Sequence, residues 1–299
     1  MTKIPAYVFS GGGIRAVCML GATHWYDTKG ELTNASPLIG TSAGAIIAYL
    51  LSIGYSPSEI LHEAVNLDLA KRMTPNLQTL LDARQMSVFQ WSVIDAILHE
   101  LTIRKIGKIP TLRELPRLTI VTYNFTHNRV EYLNFETASE LSALDALRMS
   151  CAIPIVFPRV LYTLNEEEGI SQYVDGGFGD NLALSYAEER YPDHQIIAFK
   201  MDYLETKSEP VTTHVNVPNY LLRVLTCSMV QIVEKQVSSR REDSIVITLK
   251  TRVIRAFEFN LGLSEILSIA SHGYREIVKL REPERLAKED SSDIGPDTE

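Results

Sequence analysis

Short apolar runs alternate with stretches of helical periodicity from the start of the chain. The run AYVF at 6–9 precedes a helical pattern from 14 to 29 that ends at a glycine, a common helix terminator. The same order repeats in PLIG at 37–40 and in an apolar helical pattern at 43–53. Strands and helices that alternate in this way predict a parallel sheet covered by helices.

Residues 57–115 carry helical patterns without strand-like runs and predict a helical insertion. Three patterns of the type S/T-x-x-E/Q predict helix starts within it: Ser56 with Glu59, Ser87 with Gln90, and Thr111 with Glu114. The first is followed by Pro57, a favoured first helical residue, and predicts a helix over 57–72.

The alternation resumes after the insertion. RLTIVTYNFT and RVEYLNFE flank His127-Asn128 and predict a hairpin. A helix in SALDALRMS, strands in SQYVDGG and QIIAFKMD, a helix at about 182–190, a long helix near 217–240, a strand in SIVITLK and a helix in LSEILSIASHGYREIVKL follow. The pattern predicts one α/β domain over 1–282 with a mostly parallel sheet, without internal repeats.

Charge narrows the class of partner. The chain has 299 residues and a formal net charge of −8, and much of this charge lies in an acidic tail at 283–299 that we predict to be disordered. Nucleic-acid binding requires a basic face, so nucleic acid is not an expected partner.

The cysteines and the N-terminus bear on location. Three cysteines without C-x-x-C spacing favour a reducing compartment and predict neither a disulfide framework nor a zinc site. The first residues, MTKIPAY, lack the apolar core of a signal peptide, and we expect no membrane-spanning segment. The sequence therefore predicts a protein that is cytoplasmic or peripheral to an intracellular membrane, with its oligomeric state open.

GTSAG at 40–44 is a G-x-S-x-G pattern between a strand and a helix. A nucleophilic serine on such a tight turn needs small residues on either side, because the backbone passes too close for side chains. Ser42 is the candidate nucleophile. The alternative is that Ser42 only caps the helix that follows.

Gly11, Gly12 and Gly13 follow the first strand and precede a helix. Their amides can converge on one point and stabilise negative charge there, as in an oxyanion hole. A dinucleotide loop is the alternative, since Gly11, Gly13 and Ala16 fit G-x-G-x-x-A. The chain lacks the second strand with an acidic end that this fingerprint needs.

YVDGGFGDN at 173–181 places Asp175 at a strand end before two glycines. A carboxylate there can face the same sheet edge as Ser42. The alternatives are an Asx-turn, in which Asp175 bonds only to its own backbone, and Asp180 in the same role, although Asp180 or Asn181 fits better as a helix cap.

Four blocks in this order, SGGGIRA, GTSAG, ALRMSCAIPIVFPRV and YVDGGFGDN, resemble the patatin-like phospholipase family over residues 5 to about 200. The resemblance implies a three-layer α/β/α fold and hydrolysis of lipid acyl esters by a Ser-Asp dyad without histidine. It implies Ser42 as nucleophile, Asp175 as general base, and Gly11, Gly12, Gly13 and Arg15 as the oxyanion site. No cofactor and no metal are expected.

The partners implied are an acyl-ester lipid, phospholipid among them, and transient contact with a membrane surface. We expect part of the insertion at 57–115 to form a lid or interfacial face, whereas core packing is the expected role of Phe89 and Trp91 taken singly. The basic pairs Lys71-Arg72, Arg104-Lys105 and Arg240-Arg241 are too sparse for strong docking on anionic lipid.

Two other functions remain open from the residues. A Ser-Asp-His triad would draw its base from His194, His214 or His272. A phosphate- or nucleotide-binding module without catalysis would use only the glycine loop, although no Walker lysine follows it.

Overall fold

The computed structural model describes residues 3–67, 69–76, 78–79, 82, 86–202, 217–251 and 261–292. These residues form eight strands: β1 (Pro5–Phe9), β2 (Leu38–Thr41), β3 (Leu118–Asn124), β4 (Arg129–Leu133), β5 (Val160–Tyr162), β6 (Ser171–Asp175), β7 (Gln195–Met201) and β8 (Ile245–Leu249).

The helices of the same residues are α1 (Val17–Thr28), α2 (Ala43–Ser52), α3 (Pro57–Asn66), α4 (Leu69–Arg72), α5 (Ser92–Ile106), α6 (Ala143–Ser150), α7 (Gly177–Asp180), α8 (Leu184–Arg190), α9 (Val217–Ser238) and α10 (Leu263–Ser292). Short 3₁₀ turns occupy Gly13–Ala16 and Leu112–Glu114. No described helix combines the length and the apolarity that crossing a bilayer requires.

The strands form one sheet in the order β5-β6-β3-β2-β1-β7-β8, with β4 also paired to β3. The strands from β3 to β8 along this order are parallel, and β4, β5 and β6 are antiparallel additions. This mostly parallel sheet confirms the predicted fold class, and β3 and β4 confirm the predicted hairpin.

Both faces of the sheet are buried, which gives the three-layer arrangement. Tyr7 and Phe9 of β1 belong to a large core with α1, α2, α5, α6 and α10. Ala6 and Val8, the alternate residues of the same strand, belong to a smaller core with α8 and α9. Successive side chains of a strand point to opposite faces, so a strand covered on both sides becomes continuously apolar, as AYVF is.

Strands β2 and β6 pair with consecutive parts of β3, and their last residues are neighbours. Thr41, the last residue of β2, pairs with Val121 of β3, and Asp175, the last residue of β6, pairs with Thr122. Thr122 also pairs with Glu131 of β4 on its other side, so β2 and β6 share one edge of β3. The residues that follow β2 and the end of β6 are therefore brought together.

Helices α1 and α10 cross at very short range through two glycines. A Cβ added at Gly21 would lie 1.8 Å from the Ala270 carbonyl oxygen, and one at Gly273 would lie 1.9 Å from that of Cys18. The backbones touch directly at this crossing, so the last described helix packs closely on the first.

The insertion follows the predicted helix starts in two cases of three. Ser56 and Glu59 form the predicted capping box, and the Glu114 carboxylate accepts a hydrogen bond from the Thr111 amide. The prediction at Ser87 is wrong: the helix begins at Ser92, and Ser87 instead forms a bridge with Ile155. The predicted helix over 57–72 is divided into α3 and α4.

Helix α10 continues through Ser292, into the stretch predicted to be a disordered tail. Residues 293–299 of that stretch lie outside the described residues.

Candidate active site

Ser42 lies on a strained turn between β2 and α2. Its backbone has φ 55° and ψ −126°, which is unusual for a residue with a side chain. A Cβ at Gly40 would lie 2.5 Å from the Ala45 Cα, and one at Gly44 would lie 2.3 Å from the Phe9 carbonyl oxygen. Only glycine fits at both positions, as expected for a strand-turn-helix elbow around a nucleophilic serine.

The Ser42 hydroxyl does not cap the helix. Ser42 stands at the N-cap of α2 but makes no side-chain capping hydrogen bond. The side chain is therefore available for another contact, although it is only 5% exposed.

Ser150 holds the elbow from the side. Its hydroxyl donates to the Val121 carbonyl at 2.6 Å and accepts from the Ser42 amide at 2.9 Å. Its own carbonyl accepts from the Gly176 amide at 3.3 Å. One fully buried serine thus connects β3, the Ser42 elbow and the turn after Asp175. The sequence did not identify Ser150 as a site residue, and its only signal was its place in the block ALRMSCAIPIVFPRV.

Asp175 uses its two carboxylate oxygens differently. Oδ1 accepts from the Gly177 amide at 2.8 Å, which is the Asx-type bond considered as the alternative. Oδ2 is buried and has no hydrogen-bond partner among the described residues. The backbone bond therefore fixes the carboxylate and leaves one oxygen available.

Burial raises the pKa of Asp175 from its ordinary value of 3.8 to about 7. The Ser42 hydroxyl and the Gly177 amide both act against this rise because they stabilise the ionised form. The pairing of Thr41 with Val121 and of Asp175 with Thr122 accounts for this effect, because it brings Ser42 close to the carboxylate. A carboxyl that titrates near neutral pH is a much better proton acceptor than an ordinary aspartate.

Cys151 is a third group at this point. Burial raises the pKa of its thiol well above the ordinary value, and the charge of Asp175 adds to the rise. The Ser42 hydroxyl lies against the thiol and lowers this pKa. Cys151 is therefore a neutral, buried neighbour of Ser42 and Asp175.

The glycine loop faces the elbow. A Cβ added at Gly11 would lie 3.3 Å from that of Ser42, but the Gly11 amide donates to the Asn181 carbonyl at 3.1 Å. The amides of Gly12 and Gly13 have no acceptor within the described ranges. Gly13 has a φ of 58°, a backbone conformation that favours glycine. The loop thus leaves Gly12 and Gly13, rather than Gly11, with amides to offer.

Arg15 lies behind this loop. The buried guanidinium donates to the Gly12 carbonyl at 3.4 Å and to the Asp202 carbonyl at 3.1 Å. It ties the loop to the end of β7 through backbone carbonyls. This placement gives Arg15 a supporting position beside the predicted oxyanion site.

Asp180, the alternative base, is fully engaged elsewhere. Its carboxylate accepts from the Tyr132 hydroxyl at 2.7 Å, the Ala183 amide at 2.6 Å and Gln236 Nε2 at 2.9 Å. The bond to Ala183 lies just before α8, so Asp180 anchors the start of that helix as the sequence suggested.

Two histidines of the alternative triad, His194 and His272, lie elsewhere in the described structure. His194 precedes β7 at the opposite edge of the sheet from Ser42, roughly 20 Å away along the strand. His272 is on α10, with Nδ1 4.0 Å from Glu276. His214 lies outside the described residues.

The insertion covers an apolar cavity that reaches Ser42. The cavity has a volume of about 190 Å³, and residues of α2, α3 and α5 form a large part of its wall. Trp91 lines it and is only 5% exposed, and its ring packs edge-on against Phe157 at 5.5 Å. Phe89 is half-buried against the same ring at 6.3 Å. Both aromatics pack inward, in the core role expected for each of them, and the lid or interfacial face stays a prediction.

Known proteins are similar to this chain over more than half of its length. Residues 7–188 match the patatin-like phospholipase family. The protein named "Probable lipid hydrolase 463L" of Invertebrate iridescent virus 6 is 31% identical over 189 residues, which are 60% of this chain and 62% of the viral protein. The uncharacterized protein YqhO of Bacillus subtilis strain 168 is 28% identical over 198 residues, 61% of this chain and 67% of that protein.

Among solved structures, VipD from Legionella pneumophila is 15% identical, with a TM-score of 0.49, over 94% of this chain and 67% of that one. The alignment with the viral relative spans less than two thirds of that relative's length. The family match covers well over half of this chain and includes the glycine loop, the elbow and Asp175. The chain therefore belongs to the patatin-like phospholipase family.

Proposed function

We propose that this protein hydrolyses carboxylic esters of lipids, with Ser42 as nucleophile and Asp175 as general base. The observation that carries the proposal is the buried Asp175 carboxylate, which has one oxygen without a partner among the described residues and lies close to Ser42. Membership of the patatin-like phospholipase family and the printed name of the viral relative support the same class of reaction.

In the first step Ser42 Oγ attacks the ester carbonyl carbon, and its proton passes to Asp175 Oδ2. The carbonyl oxygen becomes an oxyanion, and the amides of Gly12 and Gly13 are the donors that would stabilise it. Each such donor contributes roughly 3–4 kcal/mol in comparable sites. The tetrahedral intermediate then collapses, the C–O bond of the ester breaks, and the leaving alcohol takes the proton from Asp175.

In the second step water attacks the acyl-serine. Asp175 accepts a proton from the water, and Ser42 regains one when the acid leaves. A single carboxylate serves both steps because its pKa of about 7 lies near the working pH. No histidine is needed in this scheme.

The proposed substrates are acyl-ester lipids, with phospholipids and neutral acylglycerols both included. The surface favours hydrophobic rather than electrostatic contact with a membrane. Arg104 and Lys105 are paired with Glu63 and Glu59, and Arg241 is paired with Asp243. Cations that are already paired offer little attraction to anionic lipid.

A fluorophosphonate probe tests the proposal, because it reacts covalently with an activated serine. We expect the probe to label the wild-type protein and to fail on Ser42→Ala. Ser52→Ala is the matched control, since Ser52 lies at the other end of α2 and bonds only to the Tyr49 carbonyl. Labelling that persists in Ser42→Ala, or wild-type protein without Ser42-dependent ester hydrolysis, contradicts the proposal.

A further inference from the structure

The apolar cavity beside Ser42 follows α2 along its length. Four residues of α2 line it, at the spacing of a single helix face: Ala43, Ile46, Ile47 and Leu50. The first of these is next to Ser42, and the last is two turns further along the helix. A group attached to Ser42 Oγ therefore enters the cavity at one end and can extend along this face.

Helix α5 forms the opposite wall in the same direction. Trp91, before the first turn of α5, packs on Phe157 in the segment that follows Cys151, which is the Ser42 end. Leu101, near the last turn, accepts a hydrogen bond from the Tyr55 hydroxyl at 2.9 Å. Tyr55 follows α2, so the cavity has its second end where α2 and α5 both finish.

Polar groups border this second end. Tyr55 and Glu63 line the cavity, and they also line a polar surface depression with His62 and Lys105. These two residues therefore form a shared wall of the two spaces. An apolar occupant is expected to end where it meets these polar groups.

Ion pairs between α3 and α5 hold that wall in place. Glu63 bonds Arg104 at 2.7 Å, and Glu59 bonds Lys105 at 2.9 Å. The Lys105 ammonium also lies 4.6 Å from the centre of the Tyr55 ring. The carboxylate of Glu63 is therefore satisfied by Arg104, and the cavity that it borders remains suited to an apolar occupant.

The dimensions set the size of that occupant. The rise of α2 from Ala43 to Leu50 and of α5 from Trp91 to Leu101 gives a length of about 10–15 Å. Carbon–carbon bonds of about 1.5 Å zigzag in an extended alkyl chain, so this length accepts roughly eight to twelve carbons. The volume of about 190 Å³ exceeds that of engineered cavities, roughly 150 Å³, that stay dry and bind small apolar molecules.

We infer that this cavity receives the acyl chain of the substrate and selects its length, with Leu50 and Tyr55 at the polar end as the specificity-determining residues. The preferred substrates are esters of medium-chain acids, from octanoyl to dodecanoyl. The inference rests on the proposed function, because it needs Ser42 to carry the acyl group.

The test compares nitrophenyl esters from acetyl to hexadecanoyl, all presented in the same mixed detergent micelles. For the wild type, kcat/KM should rise by about threefold to fourfold per added methylene while the chain still enters the cavity. It should level or fall beyond dodecanoyl.

Two variants shorten the cavity at different depths. Leu50→Trp should lower the ratio of dodecanoyl to butanoyl kcat/KM by about tenfold or more, because the larger side chain fills the end of the cavity near Tyr55. Ile46→Trp, one turn nearer Ser42, should also lower the ratio of octanoyl to butanoyl kcat/KM. Ile103→Trp is the matched control, because Ile103 is an exposed residue of α5 that does not line the cavity, and it should keep the wild-type profile.

A measurement on the wild type alone covers the case in which these variants do not fold. Straight-chain alcohols should inhibit more strongly with each methylene up to roughly twelve carbons and then no further. Ser42-dependent hydrolysis with a profile that climbs through hexadecanoyl, or that Leu50→Trp leaves unchanged, overturns the inference. A wild type that hydrolyses no ester in a Ser42-dependent way overturns the proposed function instead.

Discussion

Asp175 and Asp180 lie on the same turn and are almost equally buried, at 1% and 3% exposure, but their surroundings are opposite. Asp180 receives three hydrogen bonds, and burial together with the nearby Asp180 charge raises the pKa of Tyr132, which keeps that hydroxyl a donor. Asp175 receives one hydrogen bond and has a buried oxygen without a described partner. A satisfied buried carboxylate stabilises a fold, whereas an unsatisfied one beside a hydroxyl is suited to accept a proton.

Replacing each aspartate by asparagine gives the largest expected difference. Asp175→Asn should lower kcat/KM on a short soluble ester by about 10³–10⁴, because it removes the proposed base without changing the shape of the site. Asp180→Asn should stay within about tenfold of the wild type, since Asp180 does not contact the reacting atoms. The reverse order of losses would transfer the role of base to Asp180.

Substitutions of the two aspartates should rank in the opposite order for stability, with the larger loss at Asp180. Asp180→Ala leaves the Tyr132 hydroxyl, the Ala183 amide and the Gln236 side chain without an acceptor, and should lower the free energy of unfolding by about 3–5 kcal/mol. Urea denaturation measures this change. Asp193→Ala, at an exposed aspartate, serves as the control and should stay within about 0.5 kcal/mol. A loss below about 1 kcal/mol for Asp180→Ala would mean that the three bonds contribute little.

The pH profile of the wild type sharpens the contrast further. Only ionised Asp175 can accept a proton, and its pKa is about 7, so kcat/KM should rise with pH and level above neutrality. The rise should be about tenfold per pH unit below pH 7, or roughly a hundredfold between pH 5 and the plateau. A midpoint near pH 4 would show that an ordinary carboxylate, and not a buried one, limits the reaction.

The smallest expected effect concerns the cost of burying the Asp175 charge. A folded-state pKa of about 7, raised from 3.8, means that the folded protein holds the proton more tightly, so stability falls as pH rises between these values. The full difference in pKa corresponds to roughly 4 kcal/mol in the free energy of unfolding. Asp175→Asn removes this cost, but the amide donors of the new side chain find no acceptor and cancel part of the gain.

Asp175→Asn should therefore be more stable than the wild type by about 1–3 kcal/mol at pH 8. Below pH 4, where Asp175 is protonated, the order should reverse, and the unmet amide donors should make Asp175→Asn less stable by about 1–3 kcal/mol. Unfolding curves at both pH values provide the comparison. Equal stability at pH 8 would argue against a buried charge at this position.

The parts of the site that depend on local backbone geometry could be predicted from the sequence. Gly40 and Gly44 are required by the close backbone around Ser42, and Gly176 is required because a Cβ there would lie 2.2 Å from the Val121 carbonyl oxygen. Such glycines are visible in a sequence as fixed spacings. The roles of Ser42 and Asp175 stay predictions that the substitutions above test.

The parts that depend on distant contacts could not be predicted. Ser150 is 108 residues from Ser42, and a serine in a helix pattern gives no sign of such a contact. The occupied amide of Gly11 depends on Asn181, and the late start of α5 depends on the bridge between Ser87 and Ile155. In each case a tertiary contact determines what the local pattern leaves undecided.

The family match ends at residue 188, but the folding unit does not. A fragment that stopped there would lose β7 and β8 from one side of the sheet, and with them the carbonyls of Phe199 and Asp202 that hold Ser10 and Arg15. It would also lose α10 and expose the glycine face of α1 to water. Shortening this protein to its recognisable part should therefore give an insoluble or inactive fragment, and a library of truncations should recover activity only when α10 is included.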